Sequence, residues 1–97
     1  MFARSSSWTG SPEALQKWAD NAPKVAGMVA GLPGTAGTLF LIDRPGGTAM
    51  TVTLWDTEQA ALVSDQYAES SRAATVAATG VELIERGRYE VVSQALR

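Results

Sequence analysis

Two stretches of the chain alternate between side chains of different character, residues 48–55 clearly and residues 1–8 weakly. In "TAMTVTLW" one set is Met50, Val52 and Leu54, and the opposite set is Thr51, Thr53 and Trp55. A period of two is typical of a strand whose faces meet different surroundings. We therefore expect two strands, and we expect the apolar set of residues 48–55 to fill the layer beneath the helices while the threonine face borders a semi-polar cavity.

A helical pattern begins at residue 11. Ser11 can cap the helix, Pro12 fits the first turn because its missing N–H is not needed there, and Glu13 complements the helix dipole. Apolar residues then recur at spacings of three and four to about residue 30, namely Leu15, Trp18, Ala22, Val25 and Val29. Pro23 interrupts this stretch, which predicts a kink or two short helices.

The segment "TLFLID", residues 38–43, is apolar on both faces. Leu39 and Leu41 share one face, and Phe40 and Ile42 share the other. A strand of this kind is normally covered on both sides. The following "DRPGGT" predicts a hairpin turn into residues 48–55.

A second helix is expected to start at a cap on Asp56 or Thr57 and to run to about Ala78, where Gly80 stops it. Its predicted inner stripe is Ala60, Val63, Tyr67, Ser71, Ala74 and Ala78. A last strand should cover roughly residues 81–93, with a bulge or turn at Gly87.

The predicted order is strand, helix, strand, strand, helix, strand. This order is that of the ferredoxin-like βαββαβ fold of the α+β class, with an antiparallel sheet and two helices on one face, and residues 1–97 form one domain. Right-handed crossovers leave the other sheet face bare. Because residues 38–43 are apolar on both faces, we expect a second copy of the chain to cover that face and form a homodimer.

The composition supports a single domain and excludes several classes of function. Of the 97 residues, 45% are hydrophobic and 19% are charged, and the net charge of -2 provides no basic field for nucleic acid. The chain has no Cys and no His. Thiol nucleophiles, Ser-His triads, the usual zinc sites and histidine-ligated haem are therefore excluded, and we expect no bound metal.

The location is predicted from what the sequence lacks. "MFARSSSWTG" does not resemble a signal peptide, and no run approaches the roughly 20 apolar residues of a membrane-spanning helix. We expect a soluble cytoplasmic protein without a membrane partner.

Three segments together resemble a known family. "LPGTAGTLFLID", "LWDTEQAA" and "YEVVS", in this order and spacing, are similar to segments of the antibiotic biosynthesis monooxygenase-like proteins, a branch of the dimeric α+β barrels. The resemblance implies that two sheets pack face to face across a two-fold axis. It also implies a pocket between sheet and helices or in the barrel interior.

The same resemblance implies an activity. It suggests an oxygenase without a cofactor, acting on a small flat aromatic of the polyketide type that supplies its own reducing equivalents. Haem-degrading members of the family use a histidine ligand, which this chain lacks. Two alternatives remain open, a non-catalytic dimer that binds a small molecule and a purely structural dimer whose barrel is filled.

Six residues are candidates for ligand binding. Trp55 could stack on a flat ligand that the Thr51 and Thr53 hydroxyls orient, or it could simply seal the core. Arg4 lies in a strand and could meet a carboxylate or a ligand oxyanion, or remain solvated.

The other two candidates are tyrosines. Tyr67 and Tyr89 could donate a phenolic hydrogen to a ligand or satisfy a backbone carbonyl. Two acidic residues at helical spacing, Asp65 and Glu69, could suggest a metal or acid-base pair, but a solvated helix face with Glu69 beside Arg72 explains them more simply.

Overall fold

The computed structural model describes residues 1–95, which form one sheet and three helices. In chain order the elements are β1 (Phe2–Thr9), α1 (Pro12–Ala30), β2 (Thr35–Asp43), β3 (Thr48–Trp55), α2 (Glu58–Val63), α3 (Asp65–Thr79) and β4 (Glu82–Glu90).

The sheet has the strand order β2-β3-β1-β4, and all neighbouring strands are antiparallel. The two central strands are β1 and β3, which pair from Phe2 opposite Trp55 to Thr9 opposite Thr48. The helices pack on one face of this sheet, so the predicted ferredoxin-like βαββαβ fold is confirmed.

The first helix begins as its sequence predicts. The Ser11 hydroxyl accepts a hydrogen bond of 3.1 Å from the Ala14 backbone N–H, and Pro12 occupies the first turn. The helix then continues without interruption through Pro23 to Ala30, so the alternative of two short helices is wrong. Proline removes only one backbone donor, and the turns on either side keep theirs.

The predicted second helix is in fact two helices. Thr57 caps α2, which ends at Val63, and α3 begins at Asp65 after Ser64, whose backbone stays in the right-handed region with φ of -79° and ψ of -6°. In an unbroken helix the Ala61 carbonyl would accept from the Asp65 backbone N–H. Here it accepts instead from the Ser64 hydroxyl at 2.7 Å and from the Arg4 guanidinium at 2.5 Å. The expected helix end is confirmed at Gly80, which adopts a left-handed conformation with φ of 83°.

The inner stripe of these helices also differs from the prediction. The fully buried positions are Ala61, Ser64, Thr75 and Thr79, whereas Val63 is 72% exposed. Hydroxyl side chains can occupy a buried face because they bond to carbonyls of their own helix, as Thr79 does with Thr75 at 2.7 Å. Tyr67 and Ser71 of the predicted stripe do line the space beneath the helices, whereas Val63, Ala74 and Ala78 are exposed. The prediction of the inner stripe was therefore correct only in part.

The last strand is continuous across Gly87, which pairs with Ser5. The irregularity lies three residues earlier, because Ser7 pairs with Glu85 while Trp8 pairs with Leu83. Ile84 is thus the extra residue, and the bulge predicted at Gly87 is wrong.

The faces of β3 are opposite to the prediction. Thr53 and Trp55 are buried beneath the helices, while Met50 is 38% exposed on the open side of the sheet. The alternation correctly divided the residues into two sets, but a period of two does not specify which set faces the helices. The large indole and the hydroxyls, which have partners in the protein, occupy the inner face.

The two faces of β2 are both apolar, as predicted, but they have different surroundings. Phe40 and Ile42 pack against the core. Leu39 and Leu41 lie on the open side, where they are 50% and 49% exposed. That open side also carries Met50 and Ile84, so one protomer leaves an apolar sheet face in water.

The core lies towards one end of the layer between sheet and helices. It consists of Trp8, Ala14, Leu15, Trp18, Ala49 and Val81. Trp18 also meets Phe40 with ring centroids 5.7 Å apart and planes tilted by 54°. Trp55 is buried separately at the far end of β3, so the middle of the layer lies between two aromatic groups.

Arg4 connects the first strand to the junction of α2 and α3. Its guanidinium donates to the Ala61 carbonyl, to the Ser64 hydroxyl at 3.1 Å and to the Asp65 carboxylate. This hydrogen bond from Arg4 is the main cause that lowers the pKa of Asp65 below its usual 3.8, although burial opposes it. Folding is therefore linked to the ionisation of Asp65.

The sign of that linkage gives a testable prediction. Because the pKa of Asp65 is lowered in the folded protein, its ion pair stabilises the fold above about pH 4, and this stability is lost as the pH falls through the lowered value. The free energy of unfolding of Asp65→Asn should therefore lie below that of the wild type at about pH 7 and approach it at about pH 2 to 3. Urea unfolding followed by circular dichroism measures both values.

Asp20→Asn is the matched control, since Asp20 is exposed on α1 and bonds to the Gln16 amide. The difference in free energy of unfolding between Asp20→Asn and the wild type should change little over the same pH range. If the free energy of unfolding of Asp65→Asn stays below that of the wild type by a constant amount down to the lowest pH, folding is not linked to the ionisation of Asp65.

Candidate functional site

A cavity of about 60 Å³ lies between the inner face of the sheet and the helices. Its lining comes mainly from three of the four strands, β1, β2 and β3, and from α1 and α3. One water molecule needs roughly 10–15 Å³ of such space, so the cavity holds a few waters or a small ligand group. The space lies between two layers of the fold and is partly open to solvent.

The cavity exists because the central rows of the sheet carry short polar side chains. Ser6 lies opposite Thr51 on neighbouring strands, and both face the helices between the buried residues Trp8 and Trp55. Across the gap, Ser71 and Thr75 of α3 are equally short. Small residues on both sides leave a volume that larger aliphatic side chains would have filled.

Two residues that line this space each have a buried polar atom without a protein partner. Trp55 is 3% exposed, and its Nε1 is buried without a hydrogen bond. The Tyr67 hydroxyl is also buried and unpartnered in the described part of the chain. An unmade hydrogen bond at a buried donor is unfavourable by about 1–3 kcal/mol, so a ligand acceptor that reached either donor from the cavity would be stabilised.

The threonines of β3 are already engaged, and this limits what they can offer. Thr51 accepts from the Trp8 Nε1 at 3.3 Å, so its own hydroxyl hydrogen remains available. Thr53 lies 3.3 Å from the Thr38 hydroxyl, whose single hydrogen can go to the Val52 carbonyl at 3.2 Å. In that arrangement Thr53 donates to Thr38 and can only accept from a ligand.

Arg72 of α3 also lines the cavity and was missed in the sequence. Burial lowers the pKa of Arg72, and the neighbouring positive charges of Arg86 and Arg4 lower it further. The guanidinium stays cationic, so Arg72 contributes a positive charge to the lining of the cavity. Its position one turn after Ala68, which also lines the cavity, is the sequence signal that could have identified it.

Arg4 lies outside this cavity. It borders a second, open cleft of about 360 Å³ between α3 and β4, where it pairs with Asp65. Asp65 and Glu69 are therefore neighbours of arginines. No group of three or more acidic side chains that could hold a metal ion occurs within residues 1–95.

Tyr89 is the candidate that lies farthest from the cavity. It is 53% exposed and pairs with Ala3, which places it on the open face of the sheet. Its ring covers Gly87, where an added Cβ would lie 2.5 Å from the Tyr89 hydroxyl oxygen. The structure thus brings Trp55, Thr51, Thr53 and Tyr67 together and separates Arg4 and Tyr89 from them.

Sequence comparison identifies no relatives, since no family model and no curated protein matches the chain. Comparison of the fold with solved structures does identify similar proteins.

No helix within residues 1–95 combines the length and apolar character needed to cross a bilayer.

Three solved structures illustrate the likeness of fold. One is a monooxygenase from the ActVA-Orf6 gene of Streptomyces coelicolor in complex with nanaomycin D (16% identity, TM-score 0.74, 99% of this chain and 91% of that one). Another is SnoaB, a cofactor-independent oxygenase from Streptomyces nogalater (16%, 0.71, 96% and 94%). A third is a dimeric ferredoxin-like protein from an uncultured marine organism (13%, 0.67, 100% of both chains).

These matches span nearly the whole chain at low identity. The resemblance to antibiotic biosynthesis monooxygenases is therefore confirmed as a likeness of fold. Identities of 12–21% establish the fold and leave the activity to be argued from the site.

Tyr67 gives a test of the unpartnered donor. Replacing Tyr67 by Phe removes a buried hydroxyl without a partner, so the ligand-free protein should be unchanged or more stable by up to about 1 kcal/mol. Chemical unfolding of the two proteins at equal concentration measures this. The exposed Tyr89→Phe change is the control and should be neutral.

A loss of more than about 1 kcal/mol in Tyr67→Phe would contradict the assignment, because the hydroxyl would then be making a stabilising hydrogen bond.

Proposed function

We propose that this protein is a cofactor-independent oxygenase that acts on a small, flat, electron-rich aromatic bound in the cavity beside Trp55. The observation that carries the proposal is the pair of buried, unpartnered donors on Trp55 and Tyr67 in a space walled by aromatic rings. The fold likeness to SnoaB and to the ActVA-Orf6 monooxygenase supports it.

The chemistry suits a substrate that supplies its own electrons, such as an anthrone. Loss of a proton from its CH2 carbon leaves an anion whose charge rests largely on the ring oxygen. Dioxygen takes two electrons from this carbon and, with a proton, becomes a hydroperoxide bonded to it. Loss of one water then leaves a carbonyl, so one anthrone and one O2 give one quinone and one H2O.

The residues present match the charge that this sequence of steps creates. The Trp55 and Tyr67 donors can bond to the substrate oxyanion, and the Arg72 cation adds electrostatic stabilisation in a largely buried site. Trp18 and Phe40 offer apolar surface for the rings. Among residues 1–95 the cavity lining contains no carboxylate, so stabilising the anion, rather than a carboxylate base, is the role of the site.

The ligand gains access between α1 and α3. An outer groove of about 300 Å³ along these helices shares Tyr67, Ser71 and Thr75 with the cavity. Because a tricyclic substrate exceeds the 60 Å³ of the cavity, part of it would extend past Tyr67 into this groove. The alternative function, a binding protein without chemistry, uses the same cavity and differs only in leaving O2 untouched.

Oxygen uptake with 1,8-dihydroxyanthrone as the probe tests the proposal. Wild-type protein should consume one O2 per anthrone after treatment with a metal chelator. Trp55→Phe keeps an aromatic wall but removes one donor, so turnover should fall about 10- to 100-fold. Its stability should change by only about 1 kcal/mol, because the packing is largely kept.

The control variant is Asp20→Asn, whose side chain is exposed on α1, outside both the cavity lining and the open sheet face, and which should keep wild-type turnover. Saturable binding of the probe with O2 uptake no faster than in buffer would establish the non-catalytic alternative.

We further propose that two copies pair through their open sheet faces. Leu39, Leu41, Met50 and Ile84 leave an apolar surface on the side away from the helices. Contiguous exposed apolar patches of this kind mark interaction sites. The likeness to a protein described as dimeric and ferredoxin-like supports the same arrangement.

Light scattering should therefore report a dimer at micromolar concentration. Leu41→Asp places a charge in the proposed interface, where burying it without a partner is unfavourable, and should give a folded monomer. Leu62→Asp is the matched control, because Leu62 is 41% exposed on α2, on the helix side. A wild-type monomer, or a dimer in both variants, would contradict this interface.

A further inference from the structure

The open cleft between α3 and β4 has an unusual charge. Its lining, called here the arginine cleft, consists of Arg4, Asp65, Glu69, Arg72, Arg86, Gly87 and Arg88. Four arginines face two acidic residues, an excess of two positive charges in a protein whose net charge is -2. Positive charge concentrated in one concave region attracts anions.

The positive charges of the cleft are not equally compensated. Asp65 takes a hydrogen bond from Arg4, and its other oxygen lies 3.5 Å from the Arg88 guanidinium. Within residues 1–95 no carboxylate forms an ion pair with Arg72 or Arg86. The Asp65 arrangement shows that a carboxylate fits between two guanidiniums here, and the other two arginines lack such a group.

The electrostatics of Arg72 agree with this picture. Its pKa is lowered first by burial, then by the positive charges of Arg86 and Arg4, while Glu69 and Asp65 only partly offset them. Two guanidiniums that repel each other are stabilised when an anion lies between them. Guanidinium groups match the planar, two-oxygen geometry of a carboxylate particularly well.

Arg72 also joins the cleft to the aromatic cavity, because it lines both. The cavity alone, at about 60 Å³, is small, whereas the adjoining cleft adds about 360 Å³. Pockets for small molecules commonly measure roughly 300–1,000 Å³. A ligand that spans both spaces would place an apolar ring in the cavity and a polar substituent in the cleft, with Arg72 between them.

We propose that the aromatic ligand of this protein carries a carboxylate, which lies in the arginine cleft against Arg72 and Arg86. This inference rests on the proposed ligand cavity and narrows its substrate class to aromatic acids. The two parts of the ligand have separate recognition groups. Trp55 and Tyr67 bond to the ring oxygen, and the arginines bond to the carboxylate.

A matched pair of probes separates these contributions. Isothermal titration calorimetry with 1-hydroxy-2-naphthoate and with its methyl ester compares the same ring and hydroxyl with and without the negative charge. The acid should bind more tightly. Its affinity should fall with added salt, as expected for a pair of partly exposed charges, and the affinity of the ester should not.

Arg86→Gln is the informative variant, since Arg86 is exposed and makes no ion pair among the described residues. It should weaken binding of the acid about fivefold, the effect of one partly exposed ion pair, and leave the ester unchanged. Arg44→Gln removes an equal charge from an exposed arginine that bonds to Gln16, far along the chain from the cleft. It is the control and should leave both affinities unchanged.

The outcomes distinguish the two proposals. Equal binding of acid and ester, unaffected by Arg86→Gln, would overturn the carboxylate assignment and leave the cavity in place. Binding of neither aromatic would remove the cavity proposal and this inference with it. A third outcome is that sulfate protects the wild type, but not Arg86→Gln, against thermal unfolding while neither aromatic binds. This result would show a site for free anions and would overturn the assignment of the carboxylate.

Discussion

The three-acceptor contact of Arg4 is the interaction on which the site depends. It joins the first strand to residues 57 to 61 positions later, at the point where the second helical segment breaks. By bonding to the Ala61 carbonyl, Arg4 and Ser64 take the acceptor that a continuous helix would use. The helix α3 begins at Asp65, and Arg4 holds this start against the first strand. Further along the same helix, Tyr67 and Arg72 line the cavity.

The two faces of the sheet carry different side chains in different surroundings. Its inner face places tryptophans at both ends and hydroxyl side chains in the middle, so the layer beneath the helices is packed at the ends and open at its centre. Its outer face carries exposed leucines, Met50 and Ile84. In the middle of the layer short polar side chains face inwards, whereas on the outer side of the sheet long apolar side chains face solvent. The proposed ligand would account for the first feature and the proposed second copy of the chain for the other.

The cavity and the arginine cleft share a wall at Arg72 and differ in character. In the cavity the unmade hydrogen bonds belong to neutral donors in aromatic surroundings, which suits a developing oxyanion on a flat ring. In the cleft the uncompensated groups are full charges in contact with solvent, which contribute more to specificity than to affinity. The chain has neither cysteine nor histidine, and in the proposed reaction the electrons come from the substrate.

The sequence by itself determined the order of elements, the caps at Ser11 and Gly80, the hairpin and the division of β3 into two sets of residues, because these depend on local geometry and periodicity. It also grouped Trp55, Thr51, Thr53 and Tyr67 with Arg4 and Tyr89, which do not line the cavity. Only the tertiary structure decided which set faced the helices, because a period of two has no direction. The helix break at Ser64 and the pairing of Arg4 with Asp65 arise from contacts between distant residues, which no local pattern encodes.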